Sequence, residues 1–164
     1  MNSSNTASGS RLCSKHEELR AILEALATLS GYSRDLGGCF PDGSRPDVIR
    51  IDPLCGSVFV GDAKDTESPG CSASYSRLAT YLRWLLRLKR GLKHSMLAIC
   101  ANTSARSGWE TTLYRLAHEN GLAHFSVRVA ELDDFTVVTW LDVRAYEGGE
   151  QEHGYRRKTK GLVS

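Results

Sequence analysis

Two short segments constrain this chain more than any other feature. Residues 46–52 read PDVIRID, residues 57–64 read SVFVGDAK, and Pro-Leu-Cys-Gly joins them. Both alternate and are rich in β-branched residues, so they predict the two strands of a hairpin. Placing Asp52 opposite Ser57 across the turn puts Asp47 opposite Asp62. Opposed residues share one face of a sheet, with Cβ atoms about 4.5–5.5 Å apart. Lys64 falls on that face too, as do Ile49, Ile51, Val58 and Val60. Like charges placed opposite each other destabilise a sheet, so a carboxylate pair at the end of an apolar stripe needs neutralising. Lys64, a proton kept by one carboxyl, or a bridging divalent cation would each do this. Mg²⁺ fits best, because it uses one or two carboxylates and keeps several waters.

The rest of the chain supplies helices and further strands. Ser14-Lys15-His16-Glu17 reads as a capping box, and Leu19, Ile22, Leu23, Leu26 and Leu29 follow at helical spacing up to Gly31. Glu17 is engaged by the cap, which leaves Glu18, one turn before Ile22, as the helix acid expected to reach the sheet. Residues 31–45 read as an irregular connection with a short strand near Tyr32. Helices are predicted over 73–90 and 107–120, and strands over 95–101, 125–129 and 135–143. This order predicts an α/β fold, a single domain with a central mixed β-sheet flanked by helices. The domain is expected to span 13–146, between a polar, disordered tail (1–12) and a polar, basic tail (147–164).

Composition narrows the class. With 164 residues, 41% hydrophobic and 24% charged, the chain matches ordinary globular usage, which excludes collagen-like, fibrous and mostly disordered chains. No apolar run approaches the roughly 18 residues a membrane span needs. The N-terminus has neither a basic nor an apolar signal region, so a cytoplasmic location without a membrane partner is expected. The five cysteines are odd in number and form no C-x-x-C pair, which suits free thiols. No cysteine lies beside His118 or His124, so no zinc site is expected.

At the hairpin the sequence resembles the PD-(D/E)xK nuclease superfamily. The resemblance is carried by Glu18 on an early helix, Pro46-Asp47 at the start of one strand, Asp62-Ala63-Lys64 at the end of the next, and the basic helix that follows. Some members carry Q-x-x-x-Y on that helix; here the matching positions are Arg77 and Tyr81, with Arg replacing Gln. The resemblance covers residues 14–101 and implies a restriction-endonuclease-like core. It implies a Mg²⁺- or Mn²⁺-dependent deoxyribonuclease, an endonuclease by analogy. Asp47, Asp62 and the Ala63 carbonyl would hold the metal, Glu18 would complete the site, and Lys64 would orient the attacking water. The basic run Arg77, Arg83, Arg87, Lys89 and Arg90, with Tyr81, would grip nucleic acid, DNA rather than RNA. A chain of this length has no room for a separate recognition domain, so the nuclease is expected to be structure-selective, weakly specific, a homodimer, or dependent on a partner in a larger protein complex. The alternative is a catalytically weak nuclease-fold module that binds nucleic acid or assembles with a partner.

Overall fold

The hairpin forms because its turn closes on itself. The Asp52 side chain accepts the Leu54 N–H at 2.8 Å, and the Asp52 carbonyl accepts the Gly56 N–H at 2.8 Å. Gly56 sits at φ 79°, a left-handed conformation that favours glycine. From this turn the strands pair antiparallel, with Ile51 opposite Val58, Ile49 opposite Val60 and Val48 opposite Gly61. That is the register the alternation predicts.

The computed structural model describes residues 15–37, 40, 43–88 and 95–143. The elements run α1 (Lys15–Leu29), β1 (Arg34–Asp35), β2 (Val48–Ile51), β3 (Val58–Lys64), α2 (Ser72–Arg87) and β4 (Ser95–Asn102). A 3₁₀ turn (Thr103–Ala105), α3 (Arg106–Glu119), β5 (Phe125–Glu131) and β6 (Thr136–Val143) follow. The six strands form one mixed sheet in the order β1-β2-β3-β4-β6-β5. β3 and β4 are parallel, joined by a crossover that contains α2, and every other pair is antiparallel. The expected Ser14 cap, the Gly91 helix stop and both tails lie outside the described residues.

Each face of the sheet has its own helical layer. On one face α1 buries Leu19, Leu23 and Ala27 against Tyr32, Val48, Phe59, Ala63, Ala98, Cys100 and Val138. On the other, α2 and α3 pack Leu78, Leu82, Leu85, Trp109, Leu113 and Leu116 over Val58, Val60, Leu97, Ile99 and Leu141. All seven residues of β3 are buried, because β3 lies between two strands and under helices on both faces. Alternation then sends Phe59 and Ala63 toward α1, while Val58, Val60, Asp62 and Lys64 face α2 and α3. Among the described residues no helix is long and apolar enough to cross a membrane.

Leu23 is fully buried in the α1 layer. Leu23→Ala is expected to destabilise the fold by about 2–5 kcal/mol, measured as a lower urea midpoint with an unchanged slope.

Candidate functional site

The two aspartates meet where β2 begins and β3 ends. Asp47 lies one residue before β2. Its N–H donates to Asp62 Oδ1 at 3.2 Å, and its own Oδ2 accepts the Ala63 N–H at 2.8 Å. Backbone donors thus hold both carboxylates in place across the hairpin.

Two cations and a third carboxylate complete the cluster. Lys64 Nζ is 3.1 Å from Asp62 Oδ2 and 3.1 Å from Glu67 Oε2. The Lys64 and Asp62 side chains are only 1% and 4% exposed, so this pair is almost wholly removed from water. The Lys64 ammonium also sits 6.0 Å from the centroid of the buried Trp109 ring. Glu67 Oε1 is 3.3 Å from Arg77 Nη1, and Ser74 Oγ donates to Glu67 Oε2. From α1, His16 Nε2 is 3.1 Å from Asp47 Oδ2.

The loop that carries Glu67 is pinned to α3. Thr112 Oγ1 donates to the Pro69 carbonyl at 3.1 Å. A Cβ on Gly108 would lie 2.6 Å from Pro69 Cγ, so the approach of loop to helix requires glycine at that position.

The environment separates the acids electrostatically. Burial pushes the Asp62 carboxyl above the usual carboxylate range; Lys64 pulls against this and the Asp47 charge adds to it. Burial would also raise Glu67, but hydrogen bonds from Ser74 and Lys64, with the charges of Lys64 and Arg77, bring it down to about 2. Arg77 is partly desolvated, which opposes its charge, yet Glu67 and Asp62 raise its pKa further. Three carboxyl groups (Asp47, Asp62, Glu67) therefore share two basic side chains, Lys64 and Arg77, with His16 against Asp47.

The other sequence-predicted residues fall in different places. Glu18 is 55% exposed and 3.7 Å from Lys15; the α1 side chain that reaches Asp47 is His16. Tyr81, read from the sequence as a nucleic-acid contact, is fully buried and packs edge-on against Phe40 at 5.1 Å between centroids. A side chain enclosed in this way has no face on which a base could stack. Arg77, Arg83 and Arg87 are exposed, and of these only Arg77 touches the carboxylate cluster. Lys89 and Arg90 lie outside the described residues. Three residues of the cluster, Glu67, His16 and Ser74, carry no role in the sequence reading. The signal for Glu67 was its place three residues after Lys64; for His16 it was helical spacing with Leu19 and Leu23.

Comparison with protein-family models, with curated proteins and with solved structures finds no match.

The depressed Glu67 carboxyl has a consequence for acid stability. A carboxyl whose pKa is lower in the folded chain stabilises the fold above its unfolded value, and this contribution is lost as pH falls through the folded value. For Glu67 the window runs from 4.5 down to about 2. Asp62, shifted the other way, opposes this trend as it ionises. Glu67→Gln is expected to flatten the loss of thermal stability across that window, measured by melting at stepped pH.

Proposed function

We propose that this chain is a metal-dependent nuclease that hydrolyses phosphodiester bonds of DNA, built on a restriction-endonuclease-like core. The observation that carries this reading is the juxtaposition of Asp47, Asp62 and Lys64 at one end of the β2–β3 hairpin. Further support comes from the element order over residues 15–102: a helix, an antiparallel strand set, a second helix and a strand parallel to β3. This is a mixed sheet flanked by helices, as the resemblance to PD-(D/E)xK nucleases implies.

The donor set suits a hard divalent cation. Asp47 Oδ1 accepts no hydrogen bond from the described residues, and each Asp62 oxygen accepts one; a carboxylate oxygen has two acceptor sites. Among the described residues no three His, Cys, Asp or Glu side chains are gathered to hold a metal by themselves. Asp47, Asp62 and the Ala63 carbonyl would hold Mg²⁺ or Mn²⁺, ions of the kind that use one or two carboxylates and keep several waters. Such an ion supplies charge neutralisation at the phosphate and acidifies a bound water.

The chain's own groups then have separate tasks. Asp47 and Asp62 would hold the cation, and backbone N–H groups fix their orientation. Lys64 has three N–H donors, of which Asp62 and Glu67 take two. In this reading the third would orient an attacking water and stabilise the negative charge that builds on the phosphate. Glu67 holds the lysine from its far side. His16, rather than Glu18, steadies Asp47 from the helix.

A second reading is a catalytically weak module that binds nucleic acid or a partner. It is favoured by the engagement of Lys64 with two carboxylates at 1% exposure. Cleavage separates the two readings. The intact chain with Mg²⁺ or Mn²⁺ is expected to cut labelled single-stranded, duplex or branched DNA and to stop when EDTA is added. Asp62→Ala and Lys64→Ala are each expected to slow cutting roughly 100-fold or more. Salt-dependent DNA binding without cutting would select the module; cutting that survives EDTA or both substitutions would overturn the nuclease assignment.

A further inference from the structure

The two faces of the sheet are covered unequally. α2 and α3 share one face, and there α3 packs over β5 and β6. On the other face α1 lies over β2, β3 and β4. Among the described residues no second helix joins it, so β6 and β5 are left open beside α1. A sheet is stable when its apolar face is buried against another layer.

The open half is apolar where it meets α1. Trp140 lies opposite Ala98 on β4 and opposite Arg128 on β5. Ala98 belongs to the α1 layer, so Trp140 and Arg128 point to that same face. Trp140 and Met96 are only half-buried, as are Ile22 and Leu26 on the near flank of α1. The far flank of the helix is marked by Arg20 and Glu24, which line a cleft with Val48, Ile49 and Arg50 of β2. Helical spacing places Glu18 and Leu29 on the near flank with Ile22. The fold uses neither of them: Leu29 is 86% exposed, and Glu18 has only a loose pairing with Lys15 at 3.7 Å. Half-buried and exposed apolar side chains thus run without a break from the helix onto the strands, the pattern of an interaction surface.

Charge on this surface is arranged to match itself. Arg128 is exposed and makes no hydrogen bond or ion pair with the described residues. It stands on the open half, and Glu18 stands on the helix ridge beside it. A ridge carrying an acid next to a trough carrying a base is complementary to its own copy under a two-fold rotation.

We propose that this face binds a second copy of the chain. The two-fold axis runs along the strands, between the two sheets. The α1 helices lie side by side with Ile22, Leu26 and Leu29 between them, and each covers β6 and β5 of the other copy. Glu18 of each copy then meets Arg128 of the other. Both faces of each sheet are covered by two helices in this arrangement. The dimer goes beyond the nuclease reading and does not depend on it.

The test is sedimentation equilibrium of the full chain, from low micromolar to a few hundred micromolar. The unaltered chain is expected to be a dimer at the upper end of this range. Arg128→Glu, Glu18→Arg and Leu29→Lys are each expected to raise the dimer dissociation constant about tenfold or more, because every substitution acts twice in a symmetric dimer. All three residues are exposed, so unchanged circular dichroism is expected. Arg87→Glu, on α2 at the opposite face, is the control for bulk charge and is expected to stay within about threefold. Combining Arg128→Glu with Glu18→Arg restores opposite charges across the interface and is expected to recover the dimer. A chain that is monomeric throughout overturns the proposal and leaves the open half to another occupant. A dimer untouched by the three substitutions, an equal loss in Arg87→Glu, or no recovery in the double reversal overturns it as well.

Discussion

The function proposed for this chain depends on two carboxylates held against each other. Asp47 and Asp62 sit across the start of β2 and the end of β3, joined by two backbone hydrogen bonds rather than by any attraction between them. Lys64 pairs with Asp62 on one side, and His16 Nε2 lies 3.1 Å from Asp47 Oδ2 on the other. Removing a buried carboxylate from water is unfavourable, and the raised Asp62 pKa is the local sign of that cost. Strongly shifted carboxyl groups occur at functional sites and in structural ion-pair networks alike, and the proposal takes the first reading.

The surrounding architecture fixes the pair by exclusion. β3 is buried along its whole length, so Asp62 and Lys64 are held among packed side chains with little freedom to move. Trp109 and the rest of the α2–α3 layer close over the lysine. The loop that follows is held to α3 through Pro69, at a spacing that only Gly108 allows. That anchor sets Glu67 beside Lys64 and Arg77. The helix layer, the loop and the hairpin therefore act on one ammonium group.

Much of this was legible in the sequence where the signal is local. The turn residues and the alternation in PDVIRID and SVFVGDAK fixed the strand register, and the register alone brought Asp47 beside Asp62. The helix boundaries shifted by a few residues at most among those described. What stayed hidden depends on rotation and on distant packing. Glu18 and His16 differ by two positions on α1, and only the seating of Leu19, Leu23 and Ala27 on the sheet decides which one faces Asp47. Tyr81 was read as a nucleic-acid contact from its place in the Arg77-x-x-x-Tyr81 pattern, yet the contact with Phe40 takes it into the core. Glu67 gained its place through a clamp between a proline and a glycine 39 residues apart in sequence.

The most direct measurement is Mn²⁺ binding to the metal-free full chain by electron paramagnetic resonance, beside Asp47→Ala and Asp62→Ala. The account predicts one bound ion per chain, displaced by excess Mg²⁺ and lost in both variants. Equal Mn²⁺ binding by the unaltered chain and the variants, or no binding by any of them, would contradict it.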